Sequence, residues 1–181
     1  CVEDIDFKAA RGLDASYIKS LFNCHWIAQG QFMAFTGLTG VGKTWLACAF
    51  AQLAIRKGFP ALFYRFPMLL EDLEISRRDG SLPKLRKKLA RAKLLVIDDF
   101  ALANFKAHSR QDFLDIVDER TGSGAFIFTS QLPLEKWHEY IGEETYADAI
   151  MDRIAHRCHV FELSGESMRK KNGIHQKGGR K

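Results

Sequence analysis

The strongest constraint on the fold is an eight-residue motif that lies between an apolar strand and a helix-like segment. The residues from Gly37 to Thr44 read Gly-Leu-Thr-Gly-Val-Gly-Lys-Thr and fit the phosphate-binding pattern G-x-x-x-x-G-K-[ST]. The apolar run Phe32 to Thr36 precedes the motif, and the segment Thr44 to Lys57 follows it with helical spacing. Backbone N–H groups of such a loop, together with the N-terminus of the helix, bind phosphate oxygens. The sequence therefore predicts a P-loop nucleotide-binding fold.

Each residue type in this motif has its own part in phosphate binding. Gly37, Gly40 and Gly42 let the backbone wrap closely around the phosphates, because they carry no side chain. We expect the Lys43 ammonium to reach the β- and γ-phosphates and the Thr44 hydroxyl to ligate Mg²⁺. The predicted cofactors are therefore ATP or ADP and Mg²⁺. The predicted nucleotide-binding set is Gly37, Thr39, Gly40, Val41, Gly42, Lys43, Thr44 and Trp45.

A pair of acidic residues after a second apolar strand supplies the other half of such a site. The aliphatic run Leu94 to Ile97 leads directly into Asp98 and Asp99. Ligands in open α/β sheets bind at the C-terminal ends of the strands, where these carboxylates are expected. Asp98 is predicted to hold Mg²⁺ together with Thr44. Asp99 is predicted to orient or deprotonate the attacking water, with capping of the following loop as the alternative.

Strand-like and helix-like stretches alternate along the chain, which is typical of an α/β fold with helices on both faces of a mostly parallel sheet. We predict a three-layer sandwich around five strands. They are Phe32 to Thr36, Ala61 to Phe66, Leu94 to Ile97, Ala125 to Thr129 and Val160 to Leu163. The predicted helices are Thr44 to Lys57, Met68 to Ile75, Pro83 to Ala92, Ala107 to Arg120, Pro133 to Tyr140 and Ala147 to Arg157.

The length of 181 residues fits one domain with a full-sized core. We assign residues 1–163 to an ATPase domain, in which 1–30 form an N-terminal linker segment and 66–93 a helical insertion. Residues 164–181 form a basic tail that we expect to be flexible, and too few residues follow Leu163 for a separate C-terminal lid domain. The chain begins at Cys1 without methionine, so we expect an N-terminal part to be missing.

Apolar runs and cysteines bear on the compartment. No apolar run reaches the roughly 20 residues that a membrane span needs, and no signal peptide opens the chain. The four cysteines lack paired spacing, which favours reduced thiols in a cytoplasmic protein. We therefore predict a cytoplasmic protein with no membrane partner.

The positive charge is concentrated in two segments. Residues 164–181 hold six basic residues and one acidic residue, which equals the whole formal net charge of +5. The segment from Arg77 to Lys93 holds eight basic residues and only Asp79 as an acid. Such a row suits the phosphate backbone of DNA and reads little sequence, although a solvated helix face is the alternative. The predicted DNA-binding residues are Arg77, Arg78, Lys84, Lys87, Lys88 and Arg91.

Two further residues are candidates for contact with the γ-phosphate. Gln131 follows the fourth predicted strand, where a polar residue senses the γ-phosphate in this class of ATPase, with Ser130 as the second choice. A simple group that caps the strand end is the alternative. Arg153 on the last predicted helix could reach the γ-phosphate of a neighbouring subunit. Its alternative is an ion pair within the chain, to Asp152 or Asp148.

The motifs together resemble the IstB-like ATPases over a region that extends from Val2 to about Lys170. The matching runs are Val2-Glu-Asp-Ile-Asp, Arg11-Gly-Leu-Asp14, Gly40-Val-Gly-Lys-Thr-Trp-Leu-Ala-Cys-Ala49, Thr129-Ser-Gln-Leu-Pro133, Glu135-Lys-Trp-His138, Ala147-Asp-Ala-Ile, Asp152-Arg-Ile154 and Gly165-Glu-Ser-Met-Arg-Lys170. The resemblance implies a bacterial AAA+ ATPase that is similar to the DnaC and DnaI helicase loaders. It also implies an ATP-dependent homo-oligomer on duplex DNA that recruits and stimulates a transposase in insertion-sequence transposition.

Departures from related patterns leave some functions open. Gln131 stands where the helicase loaders usually have asparagine, which favours the transposition branch over a helicase loader. Asp99 replaces the glutamate of most AAA+ motors, and its shorter side chain predicts slow hydrolysis. Arg169 in the basic tail was considered as a second phosphate sensor, but the absence of a lid domain weakens that role. A small-molecule P-loop kinase is a third reading, against which no acceptor-binding signature is found.

Overall fold

Five parallel strands form the centre of the fold. The structure is a computed structural model that describes residues 1–8 and 12–165. The strands are β1 (Phe32–Gly37), β2 (Ala61–Arg65), β3 (Leu94–Phe100), β4 (Ala125–Ser130) and β5 (Cys158–Leu163). Their order across the sheet is β2-β3-β4-β1-β5, and every neighbouring pair is parallel. The predicted five-stranded parallel α/β sheet is confirmed.

Helices cover both faces of this sheet. They are α1 (Ala15–Ser20), α2 (His25–Ala28), α3 (Lys43–Arg56), α4 (Phe66–Asp79), α5 (Leu82–Arg91), α6 (Ala107–Arg120), α7 (Trp137–Ile141) and α8 (Glu144–Ala155). Helices α1 to α3 pack on one face of the sheet, and α4 to α8 pack on the other. None of the helices in the described residues is long and apolar enough to cross a membrane.

Burial on both faces explains why the central strands read as continuous apolar runs. In β1, Met33 and Phe35 belong to the core beneath α3, whereas Phe32 and Ala34 belong to the core beneath α4 to α8. All four side chains are buried because successive residues of a strand point to opposite faces. The edge strand β2 is less buried than the central strands, since the Phe63 side chain is exposed.

The predicted linker segment 1–30 is folded onto the first face of the sheet in its described part. Ile18, Trp26 and Ile27 are buried there against α3, and the Trp26 indole N–H donates to the carbonyl oxygen of Leu21 at 3.2 Å. The short helices of this segment therefore contribute side chains to the hydrophobic core. The assignment of residues 1–163 to one ATPase domain stays a prediction.

Helices α4 and α5 occupy most of residues 66–93 with a sharp break between them, and the assignment of this segment as an insertion stays a prediction. Helix α4 ends at Asp79 because Gly80 adopts a φ of 79°, a conformation that glycine tolerates and that terminates helices. Helix α5 has one fully buried apolar residue, Leu89, so most of its surface faces solvent.

Several boundaries differ from the predictions. Strand β3 extends past Ile97 to Phe100 through an irregularity in its pairing with β4. The predicted helix Pro133 to Tyr140 is a 3-10 turn (Leu134–Lys136) followed by α7. Helix α8 begins at Glu144, earlier than predicted, because the Glu143 carboxylate accepts a hydrogen bond from the Tyr146 N–H and caps the helix.

Candidate nucleotide-binding site

The C-terminal ends of β1, β4 and β3 lie side by side and bring the predicted site residues together. Strand β4 is hydrogen-bonded to both β1 and β3, so it lies between them. The loop 38–42 leaves β1 and leads into α3, while Asp98 and Asp99 lie in the last part of β3. This edge is where open parallel sheets bind their ligands.

The backbone geometry of the phosphate loop requires glycine at two positions. A side chain at Gly37 would place its Cβ 2.2 Å from the carbonyl oxygen of Leu163 on β5, which no substitution can satisfy without moving the strand. Gly42 has a φ of 101° where the loop enters α3. Both positions allow the loop to fold tightly beside the helix N-terminus, where phosphate oxygens are bound.

The Lys43 side chain folds back across the loop. Its Nζ donates to the carbonyl oxygen of Gly37 at 2.7 Å and to that of Leu38 at 2.8 Å, and the residue is almost fully buried. Lys43 is the first residue of α3, so its ammonium adds a full charge to the positive helix end. The cation is therefore held where the phosphates of a nucleotide are expected.

Two threonine hydroxyls bind the same oxygen of the buried Asp98 carboxylate. Thr44 Oγ1 donates to Asp98 Oδ1 at 2.8 Å, and Thr129 Oγ1 donates to it at 2.6 Å. The pair of Thr44 and Asp98 was predicted, whereas Thr129, which is fully buried at the end of β4, was not. The sequence feature that indicates Thr129 is a polar residue at the end of an otherwise apolar strand.

Thr44 and Asp98 have the chemistry that Mg²⁺ prefers. Hydroxyl and carboxylate oxygens are hard ligands, and Mg²⁺ usually takes only one or two from the protein and the others from phosphate and water. No group of three or more histidine, cysteine, aspartate or glutamate side chains in the described residues could hold a metal. The two residues therefore fit a magnesium ion that is bound together with a nucleotide.

Asp99 lies in an unusual backbone conformation next to this pair. Its φ is 57°, and the pairing of β3 with β4 shifts between Ile97 and Phe100. A left-handed conformation is unfavourable for a residue with a side chain and is found often at functional sites. The Asp99 N–H donates to Thr129 Oγ1 at 3.0 Å, which ties the irregular segment to β4.

The Asp99 carboxylate is bound by an arginine that sequence analysis did not consider. Arg65, the last residue of β2, donates from one guanidinium nitrogen to Asp99 Oδ2 at 2.8 Å. This hydrogen bond and the negative charge of Asp99 raise the pKa of Arg65. The side chain of Arg65 is 57% exposed, whereas that of Asp99 is 26% exposed. The carboxylate thus forms an ion pair with the last residue of β2.

The two candidates at the end of β4 differ. Gln131 is exposed directly after the strand, and its sensor role stays a prediction. Ser130 is fully buried, donates to the carbonyl oxygen of Phe100 at 2.8 Å and accepts from the Leu132 N–H at 3.1 Å. The Ser130 hydroxyl therefore closes the turn after β4, as the capping alternative supposed.

Arg153 forms an ion pair within the chain, although with a partner that was not predicted. Its guanidinium bonds to the Asp118 carboxylate on α6 and to the carbonyl oxygen of Ala149 at 2.7 Å. The predicted partners are engaged elsewhere: Asp148 with His138 and Asp152 with His156. A pair with either of them was therefore a wrong expectation.

The position of Arg153 restricts which nucleotide it could contact. It lies two residues before the end of α8, and α8 leads into the beginning of β5. The beginnings of parallel strands lie at the edge opposite the phosphate loop. Arg153 is therefore remote from the site of its own chain, and its predicted role requires the nucleotide of a neighbouring subunit.

The basic segment divides into two groups. Arg77 binds the buried Asp112 on α6, Arg78 binds Glu74, and Arg86 binds Asp115 and Glu119. Asp112 raises the pKa of Arg77 through hydrogen bonding and charge. Acids on α4 and α6 thus bind these arginines, and the DNA-binding role predicted for Arg77 and Arg78 stays a prediction.

The second group lies on one exposed side of α5 beside the edge strand β2. Lys84, Lys87, Lys88 and Arg91 recur at helical spacing and line a groove of about 630 Å³ whose floor includes Pro60, Ala61 and Leu62. We call these four residues the α5 cationic face. Within the described residues, Lys88 is the one member of this face with a hydrogen-bonded side chain, because its Nζ donates to Tyr64 Oη at 2.9 Å. The DNA-binding role of this face stays a prediction, and Arg169 lies outside the described residues.

The chain matches one protein family and several ATP-binding proteins of insertion sequences. The family described as IstB-like ATP binding protein matches residues 1–176. An insertion-sequence ATP-binding protein of Sinorhizobium fredii is 42% identical over 168 residues, which are 93% of this chain and 69% of that protein. An ATP-binding protein of insertion sequence IS1162 from Pseudomonas fluorescens is 44% identical over 133 residues, which are 74% of this chain and 58% of that protein.

The solved structures are similar in fold at low sequence identity. The crystal structure of DnaI superimposes with a TM-score of 0.74 at 22% identity and covers 90% of each chain. At that identity the likeness concerns the fold alone. The five-stranded parallel sheet with helices on both faces is thus the fold of the P-loop AAA+ proteins.

Proposed function

Because this chain belongs to the IstB-like ATP-binding proteins, we propose that it is a DNA-dependent ATPase that assembles on duplex DNA and recruits or stimulates a transposase in insertion-sequence transposition. The observation that carries the proposal is the convergence of Lys43, Thr44 and Asp98 at the C-terminal edge of the sheet. This family binds ATP, and the DNA and transposase parts of the proposal go beyond that property.

The proposed reaction is hydrolysis of ATP to ADP and phosphate. The glycine loop and the Lys43 ammonium would bind the β- and γ-phosphates, where negative charge must be stabilised as the bond breaks. Thr44 and Asp98 would hold Mg²⁺, which neutralises phosphate charge when it is bound. Asp99 would orient the attacking water or accept its proton. Gln131 would contact the γ-phosphate from β4.

The Asp99 carboxylate is the reason that we expect hydrolysis to be slow. An aspartate reaches less far than a glutamate, and Asp99 also forms an ion pair with Arg65. Both features reduce its contact with a water molecule near the phosphate. A low basal rate that rises on assembly would suit a protein that uses ATP hydrolysis to limit the lifetime of a complex. Arg153 of one subunit would complete the site of its neighbour and stabilise the transition state.

Contact with DNA is assigned to the exposed basic residues of the insertion. The α5 cationic face presents four positive side chains on one side of a helix, which suits phosphates and requires no particular base sequence. Arg77 and Arg78 were in the predicted set, but their ion pairs make them weaker candidates. A DNA partner places the proposed activity in the bacterial cytoplasm.

The names of the relatives support the transposition part of the proposal. They are described as ATP-binding proteins of insertion sequences, whereas the likeness to DnaI concerns the fold alone. A helicase loader would share the nucleotide site and differ in its partner and in the kind of DNA that it binds. The experiment must therefore distinguish duplex from single-stranded DNA.

The test is a titration of fluorescently labelled duplex and single-stranded DNA of equal length with the protein in ATP, ADP or a non-hydrolysable ATP analogue. Light scattering measures particle size in the same samples. The proposal expects assembly that prefers duplex DNA and requires the triphosphate. Preference for single-stranded DNA would favour a helicase loader, and absence of DNA binding in every nucleotide state would contradict the proposal.

A further inference from the structure

Strand β2 and helix α5 form a groove whose apolar part the proposed function does not use. The groove has a volume of about 630 Å³, and the α5 cationic face lines one side of it. DNA phosphates would bind the cations but would cover little of the apolar lining, because their binding is electrostatic. The groove therefore suits a ligand that carries apolar groups as well as negative charge. The apolar residues that line it are Pro60, Ala61, Leu62, Leu85 and Ala92.

The groove lies beside an open edge of the sheet. Strand β2 comes first in the order β2-β3-β4-β1-β5, and β3 is the one strand that pairs with it in the described residues. Backbone N–H and C=O groups on the outer side of an edge strand have no strand partner. Such an edge can bind an extended peptide as an additional strand, with main-chain hydrogen bonds that supply affinity.

The two faces of the sheet differ in chemistry at this edge. Leu62 and Tyr64 pack on the face that α5 covers, whereas Phe63 points to the other face and is 44% exposed. Successive side chains of an added strand would alternate in the same way. One set would therefore meet the α5 cationic face, and the other set would meet the exposed phenylalanine ring. This arrangement favours a peptide in which acidic and apolar residues alternate.

The cations on the α5 side are available to an anionic ligand. Lys84, Lys87 and Arg91 form no side-chain hydrogen bond or ion pair within the part of the chain that the structure describes. Lys88 Nζ donates to Tyr64 Oη at 2.9 Å and lies 5.3 Å from the centre of the tyrosine ring, so its ammonium is held beside β2. The partner of Lys88 is a phenol and not a carboxylate, so the positive charge of the ammonium is not neutralised.

We propose that the groove between β2 and α5 binds an extended acidic peptide of a partner protein, which adds to β2 as a strand and alternates acidic with apolar side chains. The inference goes beyond the proposed function, which assigns the α5 cationic face to DNA alone. Carboxylates and phosphates bind the same ammonium and guanidinium groups, so the peptide and duplex DNA exclude each other. A partner that carries such a segment would thus take the α5 cationic face from DNA.

The first test measures binding of fluorescein-labelled peptides by fluorescence anisotropy. An eight-residue peptide that alternates glutamate with valine should bind with a Kd of about 100 µM or tighter, whereas one that alternates lysine with valine should not bind. Lys84→Gln and Arg91→Gln should each weaken binding about threefold, the order expected for one exposed ion pair. The matched control is Lys19→Gln on α1, a helix that contacts the opposite edge strand β5 through Tyr17 and His159. An equal loss in the control variant would overturn the inference.

A second pair of peptides tests strand addition itself. One carries N-methyl groups on every valine and the other on every glutamate, so the side chains and their charges stay the same. The N–H groups of alternate residues point to opposite edges of a strand, so one of the two peptides loses its bonds to β2. That peptide should bind about tenfold more weakly than the other, because several main-chain hydrogen bonds are lost. Equal affinities of the two methylated peptides would overturn the inference.

Competition with DNA separates this inference from the proposed function. Saturating unlabelled peptide should displace labelled duplex DNA, and unchanged DNA affinity would overturn the shared site that the inference requires. Peptide binding by a protein that binds no DNA would contradict the proposed function and support the inference. DNA binding without peptide binding would do the reverse. Self-association that Phe63→Ser abolishes, in a protein that binds no peptide, would assign the edge of β2 to a second copy and overturn the inference.

Discussion

The nucleotide-binding edge of the sheet and helix α6 both carry charged side chains that are bonded to partners, but the partners are related differently in the sequence. At the nucleotide edge, Lys43 bonds within its own loop, and Thr44 bonds to Asp98, which belongs to a second recognisable motif. At α6, three aspartates and a glutamate bind arginines from three other helices. The pairs are Arg77 with Asp112, Arg86 with Asp115 and Glu119, and Arg153 with Asp118.

The difference concerns how much a local sequence says about a side chain. Glycine and lysine spacing in the phosphate loop determines geometry within a few residues, so the motif predicts the site. The arginines of α4, α5 and α8 find their acids 29 to 35 residues away in the chain. A count of charges within one segment therefore overstates the charge that is free to bind a polyanion.

The largest expected effect is on the rate of ATP hydrolysis and concerns Arg153. This prediction tests whether a residue that is bound to α6 also acts on the nucleotide of a neighbouring subunit. Arg153→Ala should leave ATP binding intact and slow hydrolysis in the DNA-bound assembly about a thousandfold, because an arginine supplied by a neighbour stabilises transition-state charge. Single-turnover hydrolysis by the assembled protein, at equal ATP occupancy, provides the measurement.

Asp118→Asn is the matched control for this variant. It removes the partner within the chain and leaves the guanidinium in place. If Arg153 acts on a neighbour's phosphate, only the arginine variant should lose turnover. Equal losses in both variants would mean that the pair with Asp118 is structural, and the nucleotide edge would then be independent of α8.

The second prediction separates the nucleotide edge from the rest of the surface. Lys43→Ala should weaken ATP affinity about a hundredfold, as expected when charge-assisted bonds to phosphate are lost. Isothermal titration calorimetry measures the affinity, and circular dichroism checks the fold. Lys57→Ala, in the exposed residue just after α3, is the control. Affinity for ATP that survives in Lys43→Ala would contradict the assigned site.

The third prediction concerns an arginine that belongs to neither surface. Arg120, at the end of α6, is fully buried and donates to the carbonyl oxygens of Leu89, Ala92, Lys93 and Ala125. These bonds join the end of α5 to the sheet. Arg120→Met should lower the free energy of unfolding by about 2 kcal/mol, because several buried carbonyls lose their donor. Urea denaturation measures this difference, with Arg56→Met as an exposed control.

Burial of Arg120 also gives a pH dependence of known sign. Burial lowers its pKa to about 10 in the folded protein, well below the ordinary value of an arginine. Between the pKa of the folded protein and the higher pKa of the unfolded chain, the unfolded chain binds more protons, so this residue makes the folded state more stable as pH rises. Below about pH 10 both states carry the proton, and the contribution is constant. Unfolding curves of the wild type and Arg120→Met should therefore differ by the same free energy at pH 6 and pH 8.

Sequence patterns predicted the parts of the molecule whose determinants are local. The five strands follow from apolar runs, and Thr44 and Asp98 are each recognisable because they stand at a fixed place in their own short motif. The packed helices within residues 1–30 were not predicted, because helices of four to six residues are marginal by propensity and depend on tertiary contacts.

The unpredicted parts of the site depend on contacts between strands that are distant in sequence. Thr129 and Arg65 reach the acids of β3 from the strands on either side of it, and no local spacing reveals that arrangement. The left-handed backbone of Asp99 is equally non-local, since it follows from the shifted pairing of β3 with β4. The pair of acids was readable from the sequence, but its surroundings required the order of the sheet.

The smallest predicted effect compares two neighbouring basic residues of α5 that local sequence cannot distinguish. Lys87 belongs to the α5 cationic face, whereas Arg86 is bound to carboxylates of α6. Lys87→Ala should lower the slope of log affinity for duplex DNA against log salt by about one, because one phosphate contact is lost. Arg86→Ala should leave that slope unchanged, since its charge is already neutralised. Fluorescence anisotropy over a series of salt concentrations measures both slopes. Equal slopes for the two variants would mean that the acids of α6 do not divide the basic residues, and that the charge count from the sequence was the better guide to DNA contact.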